Sequence, residues 1–122
     1  MSGRSSKPGS ALREELDRTI LAQLDGVSRR VFEIMAKDPQ ILAWQNEANH
    51  VSIVRLGYND HGPVHMRIVG LHALRILALL NDAGVQPSLV AEEHGTLDDS
   101  RTALIVAALL HDVGMSVTRE RH

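Results

Sequence analysis

Apolar side chains recur every four residues along much of this chain, and no other feature constrains its fold as strongly. One such stripe consists of Leu12, Leu16, Ile20 and Leu24. This spacing places side chains on one face of an α-helix. Aromatic residues, which are usually enriched in strands, make up only 2% of the chain. The sequence therefore predicts an all-α bundle of about five helices.

Composition narrows the functional class. The formal net charge is −2, which argues against nucleic-acid binding. There is no cysteine, which excludes disulfide and thiolate chemistry.

Residues 1–10 are polar. They predict a disordered tail or an expression remnant, without a secretory signal, before one helical domain over residues 11–122. The longest uninterrupted apolar run, residues 103–110, is far shorter than the roughly 20 residues of a membrane span. We therefore expect a cytoplasmic protein with neither a nucleic-acid nor a membrane partner.

Capping signals predict where the later helices begin. Asp38 is followed by proline, which indicates the end of one helix and the start of another. Pro63 is expected to open a long helix. Thr96 with Asp99 resembles a capping box, so the last long helix is expected to start beside it. Residues 51–54 fit a short strand as well as a helix, because periodicity does not decide so short an apolar run.

The pair His111-Asp112 is the first candidate for chemistry, because it directly follows the apolar run at 103–110. A helix that is apolar all round is expected to be buried on every side. A buried carboxylate without a partner is energetically costly. A divalent cation would compensate, since it binds an imidazole nitrogen and a carboxylate oxygen together. The alternative is that Asp112 caps the helix end or forms a salt bridge while His111 is half exposed.

A second group of histidines surrounds the start of the long helix. His61 lies in a turn, and His65 lies in the first helical turn, where it is well placed to face a neighbouring helix end. His72 follows two helical turns later, near the same face. A cap or a surface position is the alternative for His61 and His65, and a hydrogen-bonded core histidine is the common role for His72.

Taken together, two motifs resemble the HD superfamily of metal-dependent phosphohydrolases. The first is His65-Met-Arg-Ile-Val, and the second, 46 residues later, is Ala-Leu-Leu-His111-Asp112-Val-Gly. The Asn-Asp-His-Gly run before His65, and Arg119 with His122, resemble one branch of that superfamily. The resemblance covers roughly residues 27–122. It implies an all-helical, HD-domain-like bundle.

The resemblance also implies a set of metal ligands. His65, His111 and Asp112 would bind a divalent cation such as Mn, Mg, Fe, Ni or Co. His72 is the alternative to His65, because it opens a short His-x-x-Arg pattern. His122 matches the additional histidines with which some members of the superfamily bind a second metal.

The activity implied is metal-assisted hydrolysis of a phosphoester in a phosphorylated small molecule or nucleotide. His61 would act as a general acid or base. Arg119, together with Arg67 and Arg75, is a candidate for phosphate binding, because a guanidinium matches phosphate geometry. The alternative for each arginine is a solvated charge on a helix surface.

The chain departs from the family pattern at the final aspartate. No aspartate follows Asp112, so we interpret the domain as truncated at its C-terminal end, with Asp60, Asp98 or Asp99 as candidate replacements. We expect this chain alone to bind metal weakly or not at all and to show little or no hydrolysis. We also expect a symmetric homodimer that covers exposed apolar surface. The competing hypotheses are a non-catalytic HD-like module for regulation or assembly, and a plain helical bundle.

Overall fold

Six α-helices make up the part of the protein that the structure describes. The computed structural model describes residues 9–51, 53 and 62–116. The helices are α1 (Gly9–Leu21), α2 (Gly26–Lys37), α3 (Pro39–His50), α4 (Pro63–Asp82), α5 (Ser88–Ala91) and α6 (Leu97–Leu110). A short 3-10 helix, Val113–Ser116, follows α6. These residues contain no strand, so the predicted all-α class is confirmed.

The helix count exceeds the expected five by one, and the shortest helix, α5, has only 4 residues. The first apolar stripe ends at Leu24, in the turn between α1 and α2. Gly26 has a φ of +52°, a left-handed conformation that a continuous right-handed helix cannot contain. Asp25 precedes it and caps α2: its side chain accepts a hydrogen bond from the Gly26 N–H, and Ser28 completes a capping box. The chain therefore turns here, which lets α1 and α2 pack on different neighbours.

The predicted helix starts are confirmed at three places. Asp38 accepts hydrogen bonds from the first backbone N–H groups of α3. Pro63 is the first residue of α4. Thr96 and Asp99 form the capping box of α6. Residues 51–54 are the segment that also fits a strand. Val51 has helical dihedral angles, and residues 52 and 54 lie outside the described ranges.

The main core lies where α1, α2, α4 and α6 meet. Helix α4 packs against α1 and α6, and α2 packs against α6. Its buried members are Ile20, Leu24, Phe32, Leu71, Leu74, Ile105 and Leu109. The core is almost wholly aliphatic, with Phe32 as its one aromatic side chain. This arrangement places the beginning of α4 and the end of α6 at the same end of the bundle.

Helix α6 is not buried on every side, so that expectation is wrong. Ile105, Ala108 and Leu109 are buried, whereas Ala103 and Ala107 are exposed. Among the described residues, α2, α4 and α5 cover α6 but leave one strip of its surface open. Since alanines occupy that strip, its exposure has only a small energetic cost.

An apolar groove between α4 and α6 adjoins this strip. Its cavity volume is about 370 Å³, and Ile76, Leu80 and Val85 of its lining are about half exposed. A shallower apolar depression continues from it through Ala73 to the side chain of His111. The described structure therefore carries one extended apolar surface beside the end of α6.

Helix α4 is also long and apolar enough, by length and composition alone, to cross a membrane. Its most apolar 18-residue window has a mean hydropathy of 1.4. The core helix of a soluble protein passes the same test. Helix α4 packs on α1, α3 and α6, its Arg67 is buried and paired, and 39% of the apolar window is buried. A soluble protein is therefore compatible with the fold.

Candidate metal centre

Among the described residues, the structure brings together one group of three side chains able to hold a metal ion: His65, His111 and Asp112. His65 lies in the first turn of α4, while His111 caps the C-terminal end of α6 and Asp112 follows it. Asp112 is the least exposed of the three, with 15% of its side chain accessible. The two sequence motifs therefore meet in space, as the hypothesis of a shared site requires.

The separations between the potential ligand atoms are close to those found around a common ion. His111 Nε2 lies 3.0 Å and His65 Nε2 lies 3.9 Å from Asp112 Oδ2. One potential ligand atom from each residue lies within 4.8 Å of the other two. Ligands about 2.1 Å from one metal lie roughly 3.0–3.5 Å apart when they are neighbours in its coordination sphere. One pair already has this spacing, and a small side-chain movement would bring His65 to it.

The orientation of the His111 ring also suits a ligand. His111 Nδ1 lies 2.7 Å from the carbonyl oxygen of Ala108. A carbonyl can only accept, so Nδ1 must carry the hydrogen of this bond. In the neutral ring, Nε2 then has the free lone pair, and Nε2 is the nitrogen that faces Asp112. Metal-binding histidines are commonly fixed by such a bond from their other ring nitrogen.

Of the two helix ends at the site, the C-terminal end of α6 favours a positive charge and the N-terminal end of α4 opposes one. The last carbonyls of a helix carry the negative end of its dipole, and a cation is stabilised there. The carboxylate of Asp112 adds a formal negative charge at the same place. Without a metal, a protonated His111 paired with Asp112 would be stabilised by the same negative groups. The donor set therefore fits a divalent cation, and a proton is its competitor.

A small apolar cluster holds the two ligand-bearing segments side by side. Met66, next to His65, and Ala48 of α3 are fully buried, and Val113, next to Asp112, packs against them. Contacts between directly adjacent residues thus bring the start of α4 near the residue that follows α6. Aliphatic packing is close but weakly directional, so it sets proximity more than orientation.

Helices α4 and α6 approach closely because Gly70 lies at their contact. A methyl group added at Gly70 would lie 3.2 Å from Ile105 Cδ1 and 3.3 Å from Ala108 Cβ. Ala108 is also the residue whose carbonyl accepts the His111 hydrogen bond. Small residues at this crossing therefore bring the ligand-bearing ends of the two helices within reach of each other.

The other predicted site residues are not part of this group. His72 is exposed on α4, so both the core position and the alternative ligand role expected for it are wrong in the described structure. His61, Arg119 and His122 lie outside the described residues, as does Asp60. Their proposed roles stay predictions.

Two of the three candidate replacements for the family's final aspartate, Asp98 and Asp99, lie at the opposite end of α6 from the site. Asp98 and Asp99 are in its first turn, about 20 Å from His111 at about 1.5 Å per residue. Asp98 accepts hydrogen bonds from the hydroxyl and the backbone N–H of Ser28 at 2.6 and 3.0 Å. Burial alone would raise the pKa of Asp98, but these bonds and the nearby Arg101 lower it overall. Both carboxylates therefore have structural partners far from the candidate site.

Arg67 is neither a surface charge nor free for phosphate, contrary to both expectations for it. Its side chain is almost fully buried, and its Nε donates to Asp17 Oδ1 of α1. Its Nη1 donates to Gln45 Oε1 and to the carbonyl oxygen of Pro63. Burial lowers the pKa of Arg67, and Asp17 partly offsets this effect. Sequence reasoning missed these partners because Gln45 and Asp17 belong to no recognisable motif.

Comparison with known proteins adds one relative of unknown activity. No protein-family model matches the chain, and no solved structure matches it. The chain is 33% identical, over 108 residues, to an uncharacterized protein of Methanocaldococcus jannaschii. The aligned region is 88% of this chain but 42% of the relative. The chain is therefore similar, over most of its length, to less than half of a longer protein.

Proposed function

We propose that this chain is part of an HD-type, metal-dependent phosphohydrolase. The observation that carries the proposal is the meeting of His65, His111 and Asp112, which supply two imidazoles and one carboxylate from the two motifs that resemble the family. The substrate class would be a phosphorylated small molecule or nucleotide, and the location would be cytoplasmic. The cation would be Mn, Mg, Fe, Ni or Co.

The side chains present define what this part of the protein contributes. His65 and His111 would present Nε2 lone pairs, and Asp112 would neutralise one of the two charges of the cation. When bound, a divalent cation would lower the pKa of a coordinated water and polarise a phosphoryl oxygen. The Ala108 carbonyl keeps the His111 ring oriented for this role. His61, Arg119 and His122 keep their proposed roles as acid–base group, phosphate-binding group and additional ligand.

Three ligands are enough for a catalytic metal site, but the family pattern includes one more aspartate. Asp98 and Asp99 cannot supply it from within the same chain, because they lie at the opposite end of α6. Loss of one carboxylate weakens attraction for a hard cation. We therefore propose weak metal binding and slow hydrolysis for this chain alone.

Hydrolysis of p-nitrophenyl phosphate in the presence of Mn²⁺ tests the proposed activity. We expect slow turnover that requires Mn²⁺, falls to background in Asp112→Ala and is retained in His72→Ala. The second variant removes an exposed histidine of α4 and is a matched control. Turnover that survives in Asp112→Ala or after removal of the metal with a chelator would contradict the proposal.

A second candidate function is a non-catalytic module for assembly, and the apolar groove favours it. Ile76, Leu80 and Val85 expose apolar surface beside this groove, and surfaces of this kind tend to mark interaction sites. We propose that the chain forms a symmetric homodimer that covers it. Sedimentation equilibrium should give a dimer for the wild type and a monomer for Leu80→Glu, with Ile34→Glu, at an exposed apolar residue of α2 outside the groove, as the control. A wild type that stays monomeric at high concentration would contradict the proposal.

A further inference from the structure

One polar side chain is buried beside the candidate metal centre and forms hydrogen bonds through both polar atoms of its amide. Gln45, on α3, is 1% exposed. Its Nε2 donates to the carbonyl oxygen of Leu109 at 2.8 Å, and its Oε1 accepts from Arg67 Nη1 at 3.2 Å. The orientation of the amide is fixed by chemistry, since a carbonyl can only accept and a guanidinium can only donate.

The two partners of Gln45 lie next to the two ligand-bearing segments. Leu109 precedes His111 by two residues, and its carbonyl is one of the last four of α6, which lack partners within the helix. Arg67 follows His65 by two residues on α4. The amide of Gln45 therefore spans from the end of one ligand-bearing helix to the beginning of the other.

Arg67 extends this connection and makes it rigid. Its Nη1 also donates to the carbonyl oxygen of Pro63, at 3.1 Å, in the same helical turn as His65. Its Nε is bonded to Asp17 of α1. The guanidinium is planar and holds its donors in a fixed arrangement. The first turn of α4 is thus attached to α1 and α3 by bonds that have a required direction.

We propose that Gln45 is a positioning residue for the His65, His111 and Asp112 site, because it fixes the relative position of the two segments that carry these ligands. The proposal rests on the proposed metal site. The apolar contacts of Met66 and Val113 allow small sliding movements, whereas a functional site requires its side chains to be held within about 0.5 Å. Directional bonds to Leu109 and Arg67 supply that restraint.

The test compares the affinity for Mn²⁺ of the full chain and its variants, measured by water-proton relaxation. Gln45→Met removes both bonds, and Gln45→Glu keeps an acceptor for Arg67 but cannot donate to Leu109. We expect both variants to bind Mn²⁺ about tenfold more weakly than the wild type, the lower end of the range for residues that orient metal ligands. We expect Gln45→Glu to stay folded, because its carboxylate still pairs with Arg67, and to unfold at a somewhat lower temperature than the wild type, because the Leu109 carbonyl loses its donor.

Asp98→Ala is the control for general destabilisation. It removes the bonds between Asp98 and Ser28 at the opposite end of the same helix, so it should lower the melting temperature and leave the affinity for Mn²⁺ unchanged. Wild-type affinity in folded Gln45→Glu, or an equal loss of affinity in Asp98→Ala, would overturn the positioning role. A wild type that shows no binding by His65, His111 and Asp112 would instead overturn the proposed metal site, and with it the role proposed for Gln45.

Discussion

Asp17→Ala is expected to lower the free energy of unfolding by about 3–5 kcal/mol, the usual effect of removing one partner from a buried ion pair. Arg67 is 1% exposed, and Asp17 is its only charged hydrogen-bond partner among the described contacts. Without that carboxylate, the guanidinium stays buried with two neutral acceptors, Gln45 and the Pro63 carbonyl. Because domains of this size are stable by only about 5–15 kcal/mol, the variant should lose a substantial part of its stability.

The double variant Asp17→Ala/Arg67→Met should be more stable than Asp17→Ala alone. It removes the unpaired charge and fills the site with an apolar side chain of similar length. Urea unfolding followed by circular dichroism measures both changes. The exposed pair of Arg29 and Glu33 on α2 is the control, and Glu33→Ala should have little effect. A double variant that is less stable than Asp17→Ala would show that the unpaired buried charge does not govern the stability of this region.

Phe32→Ala is expected to lower the free energy of unfolding by about 3–5 kcal/mol. Phe32 is fully buried in the main core, where its neighbours come from α1, α4 and α6. Truncation leaves a cavity that a rigid four-helix contact cannot close. Trp44 on α3 is larger but 44% exposed, so Trp44→Ala should have a clearly smaller effect. Equal losses in thermal or urea unfolding would place the main core elsewhere.

Helix boundaries are the part of this fold that could be predicted from sequence, because their causes are local. Asp38 and the Thr96 to Asp99 capping box satisfy backbone N–H groups within a few residues of themselves. Gly26 is similar, since its positive φ divides α1 from α2 whatever packs on them. An Asp-Gly pair weakens a helix in some contexts and ends it in others, so the pair alone does not predict this break.

Burial on α3 and α6 could not be predicted, because it depends on neighbouring helices. Trp44 belongs to the apolar pattern of α3, yet it is half exposed while Gln45 is buried. The reason is tertiary: the amide of Gln45 donates to the Leu109 carbonyl and accepts from Arg67, so both of its polar atoms are paired in the interior. In α6 the apolar run suggested burial on every side, but small alanines let one side remain open.

The sequence indicated the candidate ligands, but it did not indicate the residues that hold them in place. His111 and Asp112 stand out because ionisable side chains that directly follow an apolar run need partners, whereas His65 is predicted through the resemblance to the HD superfamily. His72 follows His65 by two helical turns and was expected near the same face, but it is exposed on α4. Which side of α4 is exposed depends on how the helix packs on its neighbours, and the spacing of the histidines does not show this. The partners of Arg67 come from α1 and α3, and no short-range pattern in the sequence connects them.

The central claim, that His65, His111 and Asp112 bind one divalent cation, is tested most directly by adding Mn²⁺ to the ¹⁵N-labelled chain and following amide line broadening by NMR. This method detects weak binding and locates it. We predict that the amides of residues 65 and 111–113 broaden at the lowest Mn²⁺ concentrations, and that Asp112→Ala removes this effect while His72→Ala preserves it. Broadening centred on the exposed acidic residues Glu92 and Glu93, or unchanged broadening in Asp112→Ala, would show that the ion binds elsewhere.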